Sequence, residues 1–343
     1  MNKILFINLW DKGGMRHYSD ALVNKLINNN EVIYITNYAS EIQVVNKLTR
    51  FSLNIFNVYN YIDMILLSIY IIRSKANTVH LNSGYPFLIF IYPIFYFFNS
   101  VATIHDAVPH EGESFLKKIF HKIQMIYFSL FFRKIIVHSE KIKKQLPFFI
   151  KKNKVFITPI PEFSHLSYNN IKEKVKHSNK FTILFFGRIL EYKGLKYLVD
   201  AFNYLEDDKY ELIIAGEGKI NFEINKNNIQ IINRFIKDEE IPFLFNKTNI
   251  VVLPYLSASQ SGVIYLSFAY NKPVISTKVG SIDDIVIEKY NGLFVNPKSS
   301  IELAEKIKFL STDNLYNEML INLKKENKIK KNNISTLIKI YEE

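Results

Sequence analysis

Phe181-Thr-Ile-Leu-Phe-Phe-Gly-Arg-Ile-Leu-Glu-Tyr-Lys-Gly-Leu-Lys-Tyr-Leu-Val-Asp-Ala-Phe202 carries three structural instructions in a row. The apolar run Phe181–Phe186 stops at Gly187 and reads as a strand buried on both faces, the kind found in parallel sheets. Arg188 and Lys193 follow in a loop. Leu195, Leu198, Val199 and Phe202 then recur at helical spacing, so the segment after Gly194 reads as a helix with one apolar side. A strand that turns at a glycine, presents two cations and enters a helix is a common way to hold an anion, because helix-start amides and side-chain charge converge there. The same pattern also fits an ordinary crossover with two solvated cations. The residues alone leave both readings open.

Working outward, the rest of the chain repeats the alternation of short apolar strand and helix. Lys3–Leu9 leads into Gly13-Gly14 and the helical pattern Tyr18, Ala21, Leu22, Leu26. Glu31–Thr36, Thr78–Leu81, Val101–Ile104, Ile135–Ser139 and Lys154–Pro159 read as further strands, with Glu31–Thr36 followed by a helical region through Leu66 and Ile72. Tyr210–Gly218, Ile229–Ile236 and Asn249–Pro254 repeat the theme after residue 181, and Val263–Ala269 reads as a helix. This alternation predicts doubly wound parallel sheets, whose ligands sit beyond the carboxyl ends of the strands. The polar, aperiodic residues 166–180 read as a linker. The expected division is therefore 1–165, linker 166–180, 181–325, and a C-terminal helix in 326–343 packing back on the first domain.

The motif Phe186-Gly-Arg-Ile-x-x-Tyr-Lys-Gly-x-x-x-Leu-x-x-Ala-Phe202 resembles the start of the C-terminal domain of GT4-type retaining glycosyltransferases. Thr103-Ile-His-Asp-x-x-Pro-His110 is similar to a second signature of that family, and Ser259-Gln-Ser-Gly-Val-Ile264 to the donor loop of one of its subgroups. The resemblance implies a GT-B fold, with two Rossmann-like α/β domains facing a cleft. It also implies roles. Arg188 and Lys193 would hold the donor diphosphate together with Gly187, Ser261 and the amides of Gly262, Val263 and Ile264. His105 would approach the donor sugar, with Gly13 and Gly14 nearby and His110 on the acceptor side. Arg234 and Phe235 would meet the nucleotide base. The sequence departs from the broader family in lacking glutamates around residues 258–267, which leaves Asp284 as the candidate ribose contact.

Composition narrows the alternatives. The chain has 343 residues, 48% hydrophobic and 22% charged, which suits two folded domains. With no cysteine, thiolate nucleophiles, disulfides and Cys-based zinc sites are excluded. The net charge of +12 points to an anionic partner, yet no nucleic-acid-binding motif is present, so nucleic acid is not expected. Much of the excess lies in 117–154, where cations interleave with an apolar stripe from Phe120 to Phe131. That segment fits a core-facing helix with a solvated back, or a peripheral contact with an anionic membrane. Met1–Trp10 reads as a first strand, not a signal peptide. Ile62–Ile72 and Pro86–Phe98 are shorter than the roughly 18 apolar residues of a spanning helix, so no transmembrane span is expected. The expected localisation is cytoplasmic, either free or at the inner face of the membrane.

No Asp-x-Asp triplet is present, so neither a metal held in that way nor any other cofactor is expected beyond the nucleotide-diphosphate sugar itself. The implied reaction transfers that sugar to a glycan or lipid-linked acceptor with retention. Two other readings share the fold: a nucleotide-sugar epimerase or hydrolase, and a non-catalytic partner subunit.

Overall fold

A computed structural model of the chain describes residues 2–9, 14–36, 45–47, 58–82, 84, 86–109, 114–158, 160–161, 179–258, 261–330 and 340–341. Gly13, His110, Ser259, Gln260 and most of the expected linker lie outside the described residues. The chain divides into two compact units, Met1–Pro161 with Asn333–Glu343, and Glu162–Asn332.

The first unit holds a parallel sheet of β1 (Lys3–Asn8), β2 (Glu31–Thr36), β3 (Val45–Lys47), β4 (Thr78–Asn82), β5 (Asn99–Thr103), β6 (Lys134–Val137) and β7 (Val155–Ile157). Their order is β3-β2-β1-β4-β5-β6-β7. The chain thus winds outward from β1 to β3, returns, and winds the other way from β4. Residues of β1 and β4 are buried on both sides; in β1 this reads as the apolar run Ile4–Ile7, while the buried positions of β4 include Thr78, His80 and Asn82. One face of the sheet packs against α2 (Val58–Arg73), α3 (Tyr92–Phe95) and α4 (Phe115–Phe131) through Leu67, Ile71, Leu88, Phe95, Met125 and Phe128. Each such side chain, fully buried, contributes about 1.5–3 kcal/mol of transfer free energy. α1 (Gly14–Leu26) follows β1, and α5 (Glu140–Gln145) is capped where Ser139 Oγ accepts from the Ile142 amide at 3.2 Å.

Two expectations change here. β3 falls inside the segment read as helical, because its three residues Val-Asn-Lys carry no period of their own and pair only with β2 at the sheet edge. Pro86–Phe98, read as a helix or helix pair, is a 3₁₀ turn over Pro86–Phe90 followed by the four-residue α3. Two prolines in that short stretch limit regular helix. At the chain's end, Lys134 Nζ donates to Ile340 O at 2.7 Å, and the Tyr341 hydroxyl pairs with His80 Nδ1 beneath β4.

The second unit holds β8 (Phe181–Phe186), β9 (Tyr210–Ala215), β10 (Ile229–Ile232), β11 (Ile250–Leu253), β12 (Val274–Thr277) and β13 (Gly292–Val295). All pair in parallel, in the order β10-β9-β8-β11-β12-β13. α6 (Leu195–Ala201) follows the β8 loop, α8 (Gly262–Ala269) follows the β11 loop, and α9 (Ser300–Thr312) follows β13. Leu195, Leu198, Phe202, Leu303 and Ile307 close the core on one face of this sheet. Both sheets therefore reverse their winding once, between β1 and β4 in the first and between β8 and β11 in the second. Ligands of open α/β sheets bind at such reversals.

Candidate functional site

At the reversal of the second sheet, the loops after β8 and β11 are stitched together. The Leu256 amide donates to Tyr192 O at 2.7 Å, and Gly194 sits against Pro254 so closely that a Cβ there would lie 1.9 Å from the Pro254 oxygen. Gly194 also has φ +67, which glycine adopts without strain. This junction delivers Lys193 to the tip of α8. Its Nζ donates to the Tyr255 hydroxyl at 2.9 Å and lies over the Tyr255 ring, 4.5 Å from the centroid. The Tyr255 hydroxyl is in turn 3.2 Å from Oγ of Ser261, the residue that precedes α8.

Lys193 is only 9% exposed, has no carboxylate partner among the described residues, and uses one of its three N–H donors on Tyr255. A buried cation without an anion is costly unless something compensates it. Gly187 lies beside it. A Cβ placed on Gly187, at φ +108, would be 3.7 Å from both Lys193 Nζ and Val263 Cγ2. At the tip of α8 the amides of Gly262 and Val263 donate to nothing among the described residues, while the Ile264 amide already bonds Ser261 O at 3.2 Å. An ammonium beside two unpaired helix-end amides is an arrangement whose chemistry suits a phosphate-like anion. Arg188 is exposed next to Gly187 and makes no hydrogen bond or ion pair among the described residues.

The remaining donor-side candidates are placed further out. Arg234 and Phe235 follow β10, two strands from β8. Arg234 forks onto Glu240 with contacts of 2.8 and 2.5 Å, and this pairing, helped by the Lys237 amide, pulls the Glu240 carboxyl down to about 2. Three of its five N–H donors are used, two on Glu240 and one on Phe235 O, and Phe235 is left as the exposed aromatic of the pair. Asn233 holds both backbone groups of Gly218, at 3.1 and 2.9 Å, fastening the β9 and β10 exit loops together. Asp284 ends a 3₁₀ turn after β12 and is exposed; burial, and secondarily the Asp284 charge, push the Tyr265 phenol up.

In the first unit, Gly14 opens α1, and His105 sits just past β5, beside the reversal between β1 and β4. A directional chain fixes it. His105 Nε2 donates to Asn82 Oδ1 at 2.8 Å, Asn82 Nδ2 donates to Ser19 Oγ at 2.6 Å, and Ser19 Oγ donates to Met15 O at 3.0 Å. The proton is thus on Nε2, and Nδ1 is left as an acceptor. Tyr18 packs edge-on against His105 at 4.7 Å, and His138 lies 5.0 Å away, centroid to centroid. His138 Nδ1 donates to Thr158 O at 2.9 Å; its buried Nε2 has no hydrogen-bond partner among the described residues. Sequence reading missed Asn82, Ser19, Tyr18, His138 and Tyr255 as site residues. The legible signal was polar or aromatic residues at strand ends, Asn82 after Leu81 and His138 after Val137.

Burial keeps these imidazoles neutral. It lowers His17 and His138 to about 4, and His80 and His105 to about 3, with the Arg16 charge adding to the effect at His17 and competition with a neighbouring imidazole for a proton adding to it at His80 and His105. A base whose folded pKa is depressed is protonated more readily in the unfolded chain. Stability is therefore full above the unfolded value near 6.5 and is lost as pH falls toward 4. Each such histidine tilts stability by up to about 1.4 kcal/mol per pH unit in that window. The thermal midpoint should already drop between about pH 7 and pH 5, before most carboxylates titrate. An unchanged midpoint over that interval would contradict the buried, neutral state of the cluster.

Among the described residues, no three or more His, Cys, Asp or Glu side chains are grouped as metal ligands.

The fold is that of the GT-B class, two Rossmann-like domains in one chain. Residues 167–335 match the family described as Glycosyl transferases group 1. An uncharacterized glycosyltransferase of Methanocaldococcus jannaschii is 32% identical over 183 residues, covering 51% of this chain and 48% of that protein. The capsular polysaccharide biosynthesis glycosyltransferase CapM of Staphylococcus aureus is 25% identical over 205 residues, covering 54% of each. The chain thus spans about half the length of these curated relatives. The crystal structure of Anabaena HepE in complex with UDP-glucose superposes with a TM-score of 0.72, covering 100% of this chain and 99% of that one, at 16% identity. At that identity the likeness is one of fold. No helix among the described residues is long and apolar enough to cross a membrane.

Proposed function

We propose that this chain is a GT4-type retaining glycosyltransferase, moving a sugar from a nucleotide-diphosphate sugar to a glycan or lipid-linked acceptor in surface-polysaccharide assembly. The observation that carries the reading is Lys193, a buried ammonium without a carboxylate partner among the described residues, held at the tip of α8 beside Gly187. Cleavage of the bond between anomeric carbon and phosphate builds negative charge on the leaving diphosphate. Lys193, the free amides of Gly262 and Val263, and the exposed Arg188 are placed to stabilise that charge as it grows. These cations and the helix end would do the work without a metal. Neutral His105, with Nδ1 as acceptor, would take a hydrogen bond from a sugar hydroxyl. Phe235 offers a surface for the base and Asp284 a carboxylate for the ribose. The group 1 match and the capsular-polysaccharide relative support the substrate class.

A panel of nucleotide-diphosphate sugars, screened by thermal shift, tests this directly. The cognate donor at 100 times its dissociation constant should stabilise the protein by about 2.7 kcal/mol, and the free sugar should not. Release of nucleoside diphosphate should then require an acceptor. Conversion of the donor without acceptor would favour an epimerase or hydrolase, and no shift with any donor would overturn the reading.

A further inference from the structure

The outward faces of the helices over the first sheet are not those of a solvated domain. α2, the 3₁₀ turn at Pro86–Phe90, α3 and α4 lie side by side over one sheet face, sharing a single core. The inward side of α4 is spent on Met125 and Phe128, yet Leu116, Ile119, Ile123, Ile126 and Leu130 face outward and are exposed. α2 repeats the arrangement, with Leu67 and Ile71 inward and Ile62, Ile65, Ile69 and Ile72 outward. Between them Phe90 and Phe97 stand 66% and 81% exposed. Contiguous apolar surface of this kind marks an interaction site.

Charge identifies the occupant. α4 contains no acidic residue, and its exposed Lys117, Lys118 and Lys122 alternate with the apolar side chains. α2 carries one acid, Asp63, and ends in exposed Arg73. Long cationic side chains interleaved with Ile and Leu suit a surface that is apolar below and anionic above. A second copy of the chain fits poorly, since packing this face on itself would bring together two surfaces whose helices α2 and α4 together carry lysines and a single acid, Asp63. At 16 and 17 residues, α2 and α4 are about 25 Å long, shorter than the roughly 30 Å hydrocarbon core, so they would lie in the interface and not through it.

We infer that α2, α3 and α4 form a docking face by which this unit rests on an anionic lipid bilayer, burying the Ile and Leu side chains at the headgroup boundary. The apolar ridge extends well beyond the basic segment 117–154, and the inference stands apart from the transferase reading. Flotation of the full chain with phosphatidylcholine vesicles, with and without phosphatidylglycerol, tests it without donor or acceptor. The protein should float with the phosphatidylglycerol-containing vesicles. Replacing Lys117, Lys118 and Lys122 together by glutamine should lower partitioning on the order of 10²-fold. The pair Ile65→Glu and Ile123→Glu should abolish it with the thermal midpoint kept, because both positions are exposed. Absence of flotation at low salt, or binding unaltered in these variants, would overturn the inference. So would a solution dimer that Ile123→Glu makes monomeric while vesicle binding persists.

Discussion

Lys193→Met should reduce turnover by about 10²-fold or more while leaving the protein at least as stable as the wild type. The two halves of that expectation come from the same observation. Lys193 is enclosed, makes one hydrogen bond, to Tyr255, and has no carboxylate partner among the described residues. Keeping a charge in such a place opposes folding, and methionine fills a similar volume without it. A scaffold lysine would therefore be replaced with little consequence for catalysis. A lysine kept for an anion that gains charge in the transition state would lower kcat more than it raises KM. Arg188→Ala should act in the same direction. Its side chain is exposed and makes no hydrogen bond or ion pair among the described residues, so stability gives no reason for its presence. Steady-state kinetics with the cognate donor, beside denaturant midpoints, separate these cases. Wild-type kinetics in both variants would remove the diphosphate from this site.

How much of this was legible in the sequence depends on whether the signal was local. The β8 strand, Gly187, the two cations and the α6 period all lie within Phe181–Phe202, and each acts on its own neighbours. The same is true of Ser261-Gly262, where a small-residue loop meets a helix start. What the sequence hid was pairing at a distance. Nothing local to Tyr255 says that its hydroxyl will stand between Lys193 and Ser261, which are brought together by two loops crossing at Gly194. Nothing local to Asn82 says that it will fix the tautomer of His105. Arg234 looked like a free cation because Glu240, six residues on, returns to it only through the turn at Lys237. α4 misled in another way. Apolar residues occupy both its faces, so periodicity located a helix but could not tell which stripe the sheet would cover.

The crossing at Gly194 supplies the other large expected effect. Gly194→Ala should destabilise the protein by roughly 2–4 kcal/mol and take activity with it. Left-handed backbone costs a non-glycine residue about 1–2 kcal/mol, and φ at this position is +67. The added Cβ would also stand 1.9 Å from the Pro254 oxygen and 3.0 Å from its carbonyl carbon, where backbone, not a flexible side chain, must give way. Relief requires the β8 and β11 loops to part, which stretches the 2.7 Å bond from the Leu256 amide to Tyr192 O. It also draws Lys193 away from Tyr255 and the tip of α8. Stability and donor binding should therefore fall together, unlike in Lys193→Met. Gly14→Ala is the matched control. It begins α1 with no atom within 4 Å of its prospective Cβ, and should change the midpoint by no more than about 0.5 kcal/mol. Urea titration of the three proteins makes the comparison. A midpoint for Gly194→Ala equal to that of Gly14→Ala would mean that the two loops are not held at this crossing. The arrangement of Lys193 against α8 would then need another cause.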